Sequence, residues 1–280
     1  MDAVGDIAGL RAALDGRRHR KIGLVPTMGN LHAGHLELVR ECRRTSEVCV
    51  VSIFVNPTQF GPNEDFGNYP RTLAEDLRLL EGAGTDLVFN PSVDAMYPDG
   101  QDGHVSVSVP SLAHTLCGEA RPGHFDGVAT VVAKLFNIVA PDEAFFGEKD
   151  WQQLTLIRTM ARQLDMPLAV TGVPTVREAS GLAMSSRNNY LSDEERERAA
   201  LINRILNRIK ATIERGDRAY AVAELRGCRA LTAAGFDVDY VAIRDADRLG
   251  PPDDDTHTLR ILAAARLGRA RLIDNVGVEL

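Results

Sequence analysis

The chain has 280 residues, 44% hydrophobic and 25% charged, enough to bury one large core or two ordinary ones in a globular protein. Its 39 acidic and 32 basic side chains leave a net charge of -7, which argues against general affinity for nucleic acid or an anionic membrane but leaves room for a local basic pocket. The four cysteines form neither a C-x-x-C pair nor a metal-ligand spacing, and no secretory apolar region opens the sequence, so a soluble protein with reduced thiols, in a cytoplasm, is expected.

In chain order, IGLV (22 to 25) reads as a short buried strand. LHAGHLELVRECRR (31 to 44) follows with Leu31, His35, Leu38 and Cys42 at helical spacing. VCVVSIFV (48 to 55) is a continuous, β-branched run, as expected of a central parallel strand and far too short to cross a bilayer. The next helix is predicted from Thr72, where Thr72 and Glu75 have capping-box spacing and Leu73, Leu77 and Leu80 form a stripe. DLVFNP (86 to 91) reads as a strand, and GVATVVAKLFNIV (127 to 139) as a helix with Val128, Val131, Val132, Leu135 and Ile138 on one face. A strand at AFFGE (144 to 148), a helix from about 150 and a strand at LAVTGV (168 to 173) complete the series. This alternation predicts an α/β fold, a Rossmann-like doubly wound parallel sheet covered on both faces.

The texture changes near residue 175. SDEERERAALINRILNRIKATIERG (192 to 216) reads as one long amphipathic helix opened by Ser192 and Glu195 at capping-box spacing, and a second helix covers roughly 218 to 234. VDYVAIRD, RILAAAR and RLIDNV then read as strands, and PPDDD (251 to 255) as a solvated turn. The expected organisation is a Rossmann-like domain over 1–175 and a smaller α+β C-terminal domain over 176–280.

Ligands of a doubly wound sheet bind beyond the carboxyl ends of its strands, where helix N-termini point outward. PTMGNLHAGH (26 to 35) lies at such a turn, with His32 and His35 three residues apart. Neither a Walker loop nor a G-x-G-x-x-G fingerprint occurs in the chain. The stretch alone fits a core histidine, half of a metal site, or a phosphate cradle using the helix N-terminus. NPTQFG (56 to 61) puts Asn56 and Gln59 after a strand, as either turn formers or binding groups. In FGEKDWQQL (146 to 154), Asp150 can N-cap the next helix with Gln153 at N3. Lys149 then stands before a helix N-terminus, where a cation is unfavourable unless an anion sits there too. AMSSRNNYL (183 to 191) gathers Ser185, Ser186 and Arg187 in a predicted loop, ordinary in composition but suited to clamping a polyphosphate.

Five segments in order carry a wider likeness: VPTMGNLHAGH; VSIFVNPTQFG with EDFGNYPRT; RPGHFDGVATVVAKLFNIVAPD; FFGEKDWQQL; and GVPTVREASGLAMSSRNNYLS. The first resembles the H-x-G-H signature of the nucleotidylyltransferase superfamily. The series, from about residue 20 to 192 and weakly on through VDYVAIRD and RLIDN, is similar to the pantothenate synthetase (pantoate–β-alanine ligase) family.

The resemblance implies ATP-dependent condensation of pantoate with β-alanine through a pantoyl adenylate, releasing pyrophosphate and then AMP. His32 and His35 match the pair on the ATP phosphates, with Pro26, Met28, Gly147, Val176 and Met184 along the nucleotide. Lys149 would lie on phosphate and Asp150 on the ribose side, while Ser185, Ser186 and Arg187 match a mobile phosphate-binding loop. On this likeness the catalytic residues are His32, His35, Lys149, Ser185, Ser186 and Arg187. Gln59 and Gln153 match the glutamines that hold pantoate, supported by Asn56 and Tyr69, and Asp76 matches an acidic position associated with Mg²⁺. A homodimer is also implied, with the C-terminal domain covering the site. The chain departs from the family pattern at Asn30, Ala33, Trp151 (usually Tyr or Phe) and Ser180. The competing readings are another H-x-G-H nucleotidylyltransferase and a nucleotide-binding module without turnover; a tRNA-linked role is disfavoured by the acidic balance.

Overall fold

The computed structural model describes every residue except Pro62, Asn63, Asp65, Asn68 and Asp102. The EDFGNYPRT motif therefore lies partly outside the described residues. The fold divides into two compact units, one of residues 1–148 with 156–174 and one of residues 149–155 with 175–280.

In the first unit the elements are β1 (Asp2–Val4), α1 (Ile7–Asp15), β2 (Ile22–Thr27), α2 (Ala33–Thr45), β3 (Val48–Ile53), α3 (Leu73–Gly82), β4 (Leu87–Phe89), three short helices α4 (Val93–Met96), α5 (Pro110–Ala113) and α6 (Cys117–Ala120), then α7 (His124–Val139) and β5 (Glu143–Gly147). Helix α8 (Trp151–Gln163), whose first residues group with the second unit, precedes β6 (Ala169–Val173). The strands form one parallel sheet in the order β1-β4-β3-β2-β5-β6, the α/β architecture expected from the alternation. All six residues of β3 are buried, as a strand covered on both faces requires. On one face Val25, Cys49, Val51 and Val88 pack with Leu38, Val39 and Cys42 of α2 and Leu80 of α3.

The strand order reverses between β2 and β5, the switch point at which such sheets bind ligands. β2 and β5 are paired only at Gly23–Glu143 and Leu24–Ala144. Pro26 lies just beyond that pairing. Having no N–H, it could not donate to a second neighbour, so the two strands part there without losing a ladder bond.

Two local expectations in this unit need correction. The Thr72–Glu75 capping box is not formed: Thr72 makes no side-chain cap bond, and its hydroxyl donates to Asp76 Oδ2 at 3.2 Å. Leu73, placed on the core stripe, is 40% exposed; Asp76 and Leu80 are the buried residues of α3.

The second unit holds α9 (Asp193–Ala199), α10 (Leu201–Glu214), α11 (Tyr220–Ala233) and an antiparallel meander of β7 (Asp237–Asp245), β8 (Thr258–Leu267) and β9 (Ala270–Glu279). Ser192 and Glu195 make the expected capping box. The helix it opens stops at Ala200 (φ -62°, ψ -14°), so the single helix predicted over 192 to 216 is two. Ala199 and Ala200 are both fully buried there, more than the single stripe of a straight amphipathic helix supplies. Ile202, Ile205, Leu206, Ile209 and Ile213 of α10 then pack on Ile243, Ile261, Ala263 and Leu272 of the sheet.

Candidate active site

The carboxyl end of β2 runs into a tight turn at Gly29 (φ 79°) and Asn30 (φ 51°) before α2 begins. Asparagine tolerates the left-handed region better than most residues with a side chain, which accounts for Asn30 as a departure from the family pattern. The two histidines make a reciprocal cap on α2. His32 is the N-cap, and its Nδ1 accepts from Gly34 N at 3.1 Å; His35 Nδ1 accepts from His32 N at 3.3 Å. Their ring centroids are 4.1 Å apart. An Nδ1 that accepts from a backbone N–H places the proton of a neutral imidazole on Nε2. Both rings are thereby set as Nε2–H donors at a helix N-terminus, the arrangement an anion needs. The predicted helix start at Leu31 moves two residues on, because His32 is spent as the cap. Among the described residues no group of three His, Cys, Asp or Glu side chains is placed to hold a metal ion.

Asp76, the position the likeness associates with Mg²⁺, is engaged within the protein. It is 1% exposed, and its Oδ1 accepts from Leu31 N at 2.8 Å. Its Oδ2 accepts from Asn30 N at 3.0 Å and from the Thr72 hydroxyl. A carboxylate occupied on both oxygens and shut away from solvent holds the turn in shape; it does not fit a Mg²⁺ ligand, which must meet phosphate and water as well.

Gln59 (8% exposed) lies in a 3-10 turn, Pro57–Gln59, after β3. Its Oε1 accepts from Asn56 Nδ2 at 3.1 Å, so its Nε2 is the outgoing donor, 3.2 Å from Met28 Sδ. The structure thus brings the expected pantoate residue Gln59 beside the expected nucleotide residue Met28. Asn56 is fully engaged within the protein: Nδ2 also donates to Gly127 O at 3.1 Å, and Oδ1 accepts from Thr58 Oγ1 (3.0 Å) and Tyr97 Oη (2.7 Å). It orients Gln59 and has no hydrogen-bonding capacity left for a ligand. Tyr69, 7% exposed, packs edge-on against Phe60.

The residues around this turn that sequence reasoning left unassigned are Tyr97, Arg121, His124 and Gly127. Burial pushes the Tyr97 phenol up, keeping it a donor to Asn56. His124 Nδ1 lies 2.8 Å from Gln59 O, and Arg121 NH1 lies 2.9 Å from His124 Nε2. Arg121 also grips Glu64 through Nε (2.6 Å) and NH2 (2.5 Å). Burial raises the Glu64 carboxyl, but the Arg121 hydrogen bond and charge outweigh it and hold the group below its usual range. A Cβ on Gly127 would meet Thr58 O at 2.4 Å, so α7 closes on the turn only with glycine there. Arg121, His124 and Gly127 all lie in the segment RPGHFDG, whose only sign in the sequence is the family likeness, and nothing in the sequence marks Tyr97.

β5 ends at Gly147, and a 3-10 turn, Glu148–Asp150, leads into α8. Lys149, Asp150 and Gln153 are half-buried and belong to the second unit. In that unit, Met184 N donates to Val176 O at 2.9 Å and Glu178 N to Leu182 O at 2.8 Å, making a hairpin that turns at Gly181 (φ 92°). Ser180 Oγ accepts from Leu182 N at 3.3 Å. A serine can take this turn role in place of the family's aspartate. Ser185 caps the following 3-10 helix (Ser186–Tyr190), its Oγ accepting from Arg187 N at 3.2 Å. Asn188, 1% exposed, donates to Ala183 O (3.1 Å) and Glu178 Oε1 (3.0 Å) and pins that helix to the hairpin. Arg177 grips Asp274 through NH1 (2.7 Å) and NH2 (2.9 Å) and donates to Gly181 O (3.1 Å). Among the described residues Lys149 Nζ and the Arg187 guanidinium enter no ion pair, whereas Arg177, Arg196 and Arg271 nearby in sequence or fold all do.

A parallel sheet whose second strand ends at its switch point in a histidine-capped H-x-G-H turn defines the class: a nucleotide-binding α/β protein of the H-x-G-H type. The chain belongs to the pantoate–β-alanine ligase family, whose model matches residues 2–277. A pantothenate synthetase from Azotobacter vinelandii is 55% identical over 271 residues, covering 96% of this chain and 94% of the relative. One from Stutzerimonas stutzeri is 53% identical over 282 residues, covering 100% and 99%. A crystal structure of pantothenate synthetase from Thermus thermophilus superposes with a TM-score of 0.92 at 48% identity, covering 99% of both chains. The ligase from Francisella tularensis, solved with β-γ ATP and β-alanine, gives 0.82 at 34% identity over 99% of this chain and 97% of its own.

Proposed function

We propose that the chain joins pantoate to β-alanine at the expense of ATP, by way of a pantoyl adenylate. The observation that carries the residue assignments is the pair of imidazoles locked by their own backbone caps into Nε2–H donors at the start of α2. Two cations, Lys149 and Arg187, are left without a carboxylate among the described residues. Family membership and the ligase solved with ATP and β-alanine support the same reaction.

In the first step a pantoate carboxylate oxygen attacks the α-phosphorus of ATP and pyrophosphate leaves. Gln59, held by Asn56, presents an amide N–H to pantoate, with Gln153 as the second amide. His32 and His35 donate to phosphate oxygens, and Lys149 and Arg187 balance the charge that builds on the leaving pyrophosphate. Ser185 and Ser186 add hydroxyls on the same anion. Pro26, Met28, Gly147, Val176 and Met184 line the nucleotide, and Asp150 takes the ribose side. In the second step the β-alanine amine attacks the acyl carbon of the adenylate, AMP leaves, and an amide forms. Nothing in this sequence calls for a covalent enzyme intermediate; positioning and electrostatic stabilisation supply the rate.

Mg²⁺ enters the proposal only as the usual companion of ATP phosphates, and no described residue is assigned to it. A homodimer and a cytoplasmic setting complete the reading. The second is supported by four cysteines that form no disulfide and by the lack, among described residues, of any helix long and apolar enough to cross a membrane.

The test is an assay with pantoate, ATP and Mg²⁺. Pyrophosphate is expected before β-alanine is added, and AMP with pantothenate only after. Stable transfer of the adenylyl group to a nucleotide or phosphate acceptor would replace this reading with a different nucleotidylyltransferase, and absence of ATP turnover would replace it with a binding module.

A further inference from the structure

The C-terminal motif RLIDN is given no role by the chemistry above, yet it ends on two adjacent buried polar residues, Asp274 (5% exposed) and Asn275 (4%). Asparagine is a poor strand former and its burial is costly unless its amide is bonded, so packing alone does not explain it. The strand register pairs Leu262 with Asn275 and Arg260 with Gly277. Arg260, Asn275 and Gly277 therefore share one face of the sheet. On that face Arg260 Nε donates to Asn275 Oδ1 at 2.6 Å, and Asn275 Nδ2 donates to the backbone carbonyl of Lys149 at 2.9 Å. The Arg260 guanidinium lies over the Trp151 ring, 3.5 Å from its centroid. A Cβ on Gly277 would come within 3.0 Å of Arg260 NH1, so glycine there makes room for the guanidinium. Trp151 is tied a second time, its Nε1 donating to Ala246 O at 2.9 Å.

We propose that Asn275, Arg260 and Trp151 form a latch that positions Lys149, with Asn275 and Arg260 as positioning residues for the adenylation step. The latch grips the main chain of the turn and leaves the ammonium unencumbered, as a lysine that must meet an anion requires. It also gives the tryptophan at position 151, where the family usually has Tyr or Phe, a purpose: an indole N–H that anchors the ring beneath the guanidinium. The preceding residue, Asp274, takes Arg177 and through it the hairpin leading to Ser185. Neighbouring residues of one strand thus fix both cation-bearing segments of the second unit. The inference rests on the phosphate role proposed for Lys149.

The chain has a single tryptophan, so its fluorescence reads the latch without any turnover. Asn275→Ala and Arg260→Lys are expected to shift Trp151 emission and raise its quenching by acrylamide, with circular dichroism unchanged. Asn275→Asp keeps the acceptor for Arg260 and deletes the N–H to Lys149, so emission should stay while the rate falls. In rapid-mixing measurements of pyrophosphate release, both Asn275 variants should lose about tenfold, the scale of a modest misplacement of a reacting group. In a Lys149→Ala background the same Asn275 change should cost less than about twofold, because its effect is already spent. An equal loss in both backgrounds would make Asn275 merely structural and overturn the proposal, as would unchanged rate and emission in all three variants. Should Asn275→Ala not fold, Asn275→Asp and Arg260→Lys still decide. A wild-type chain that releases no pyrophosphate sinks the ligase reading, and the emission measurements then judge the latch alone.

Discussion

The two units hold their functional side chains by different means. In the first, the H-x-G-H turn is set mostly by neighbours: His32 accepts from Gly34 N and His35 from His32 N, and Asp76 reaches in from α3 to the N–H groups of Asn30 and Leu31. In the second, the Lys149 turn and the Arg177–Arg187 hairpin are set from β9, across sequence separations of 126 and 97 residues. A cap made locally survives small shifts of everything else. A clamp made from a distant strand ties the position of a charge to the integrity of a whole sheet.

This contrast predicts where damage spreads. The largest effect is expected at Arg177, since Arg177→Ala leaves Asp274 buried without its partner; the cost should be about 3–5 kcal/mol in chemical denaturation. Adding Asp274→Asn should recover part of it. A loss under about 1 kcal/mol, the scale of an exposed pair, would dismiss the distant-clamp picture. His35→Ala should do the opposite, lowering turnover by roughly 10²–10³-fold while destabilising by only about 1 kcal/mol, the worth of a helix cap. His35→Gln sharpens the point: a glutamine at N3 can remake the cap, so stability should return and turnover should not. Recovery of turnover in His35→Gln would show that capping alone accounts for this histidine.

The same contrast explains what could be read from the sequence. The buried parallel strands, the Ser192–Glu195 cap and the α10 stripe depend on local pattern, and all were legible. So was the H-x-G-H pair as a feature at a helix start, although the reciprocal cap was not, because capping boxes are recognised by Ser, Thr, Glu or Gln. β1 and α1 went unread: three strand residues carry too little pattern, and the Asp6 cap on Gly9 with Leu10 and Leu14 buried is a faint signal. Arg260, Asn275 and Ala246 meet the Lys149–Trp151 turn only through tertiary packing, so no spacing in the chain announces them. At Asp76 the likeness gives the acidic residue but not the backbone donors of Asn30 and Leu31 that occupy it.

Asp76→Asn tests that last point with a smaller effect. The amide oxygen can still accept from Leu31 N, but its NH₂ would face the Asn30 N–H and the Thr72 hydroxyl, costing about 1–3 kcal/mol. The concentration of Mg²⁺ needed for half-maximal pyrophosphate release should not move. A marked rise in that requirement, with stability unchanged, would restore Asp76 as a metal ligand.

The smallest expected effect is one that acid removes. Glu64 is paired with Arg121, whose NH1 in turn meets His124 on the backbone of Gln59. Its carboxyl titrates below the usual glutamate value of 4.5 in the folded chain. The unfolded state therefore takes up the proton first, so this pair's contribution is complete above pH 4.5 and fades as pH falls through the lower folded value. Glu64→Gln should cost about 1 kcal/mol or less near neutrality, since the pair is only partly buried. The difference from wild type should shrink progressively below pH 4.5. A difference that persists unchanged to pH 3 would mean that shape, and not charge, is what Glu64 contributes around Gln59. The Gln59 turn would then owe its shape to packing against Arg121 and His124 and not to the Glu64 charge.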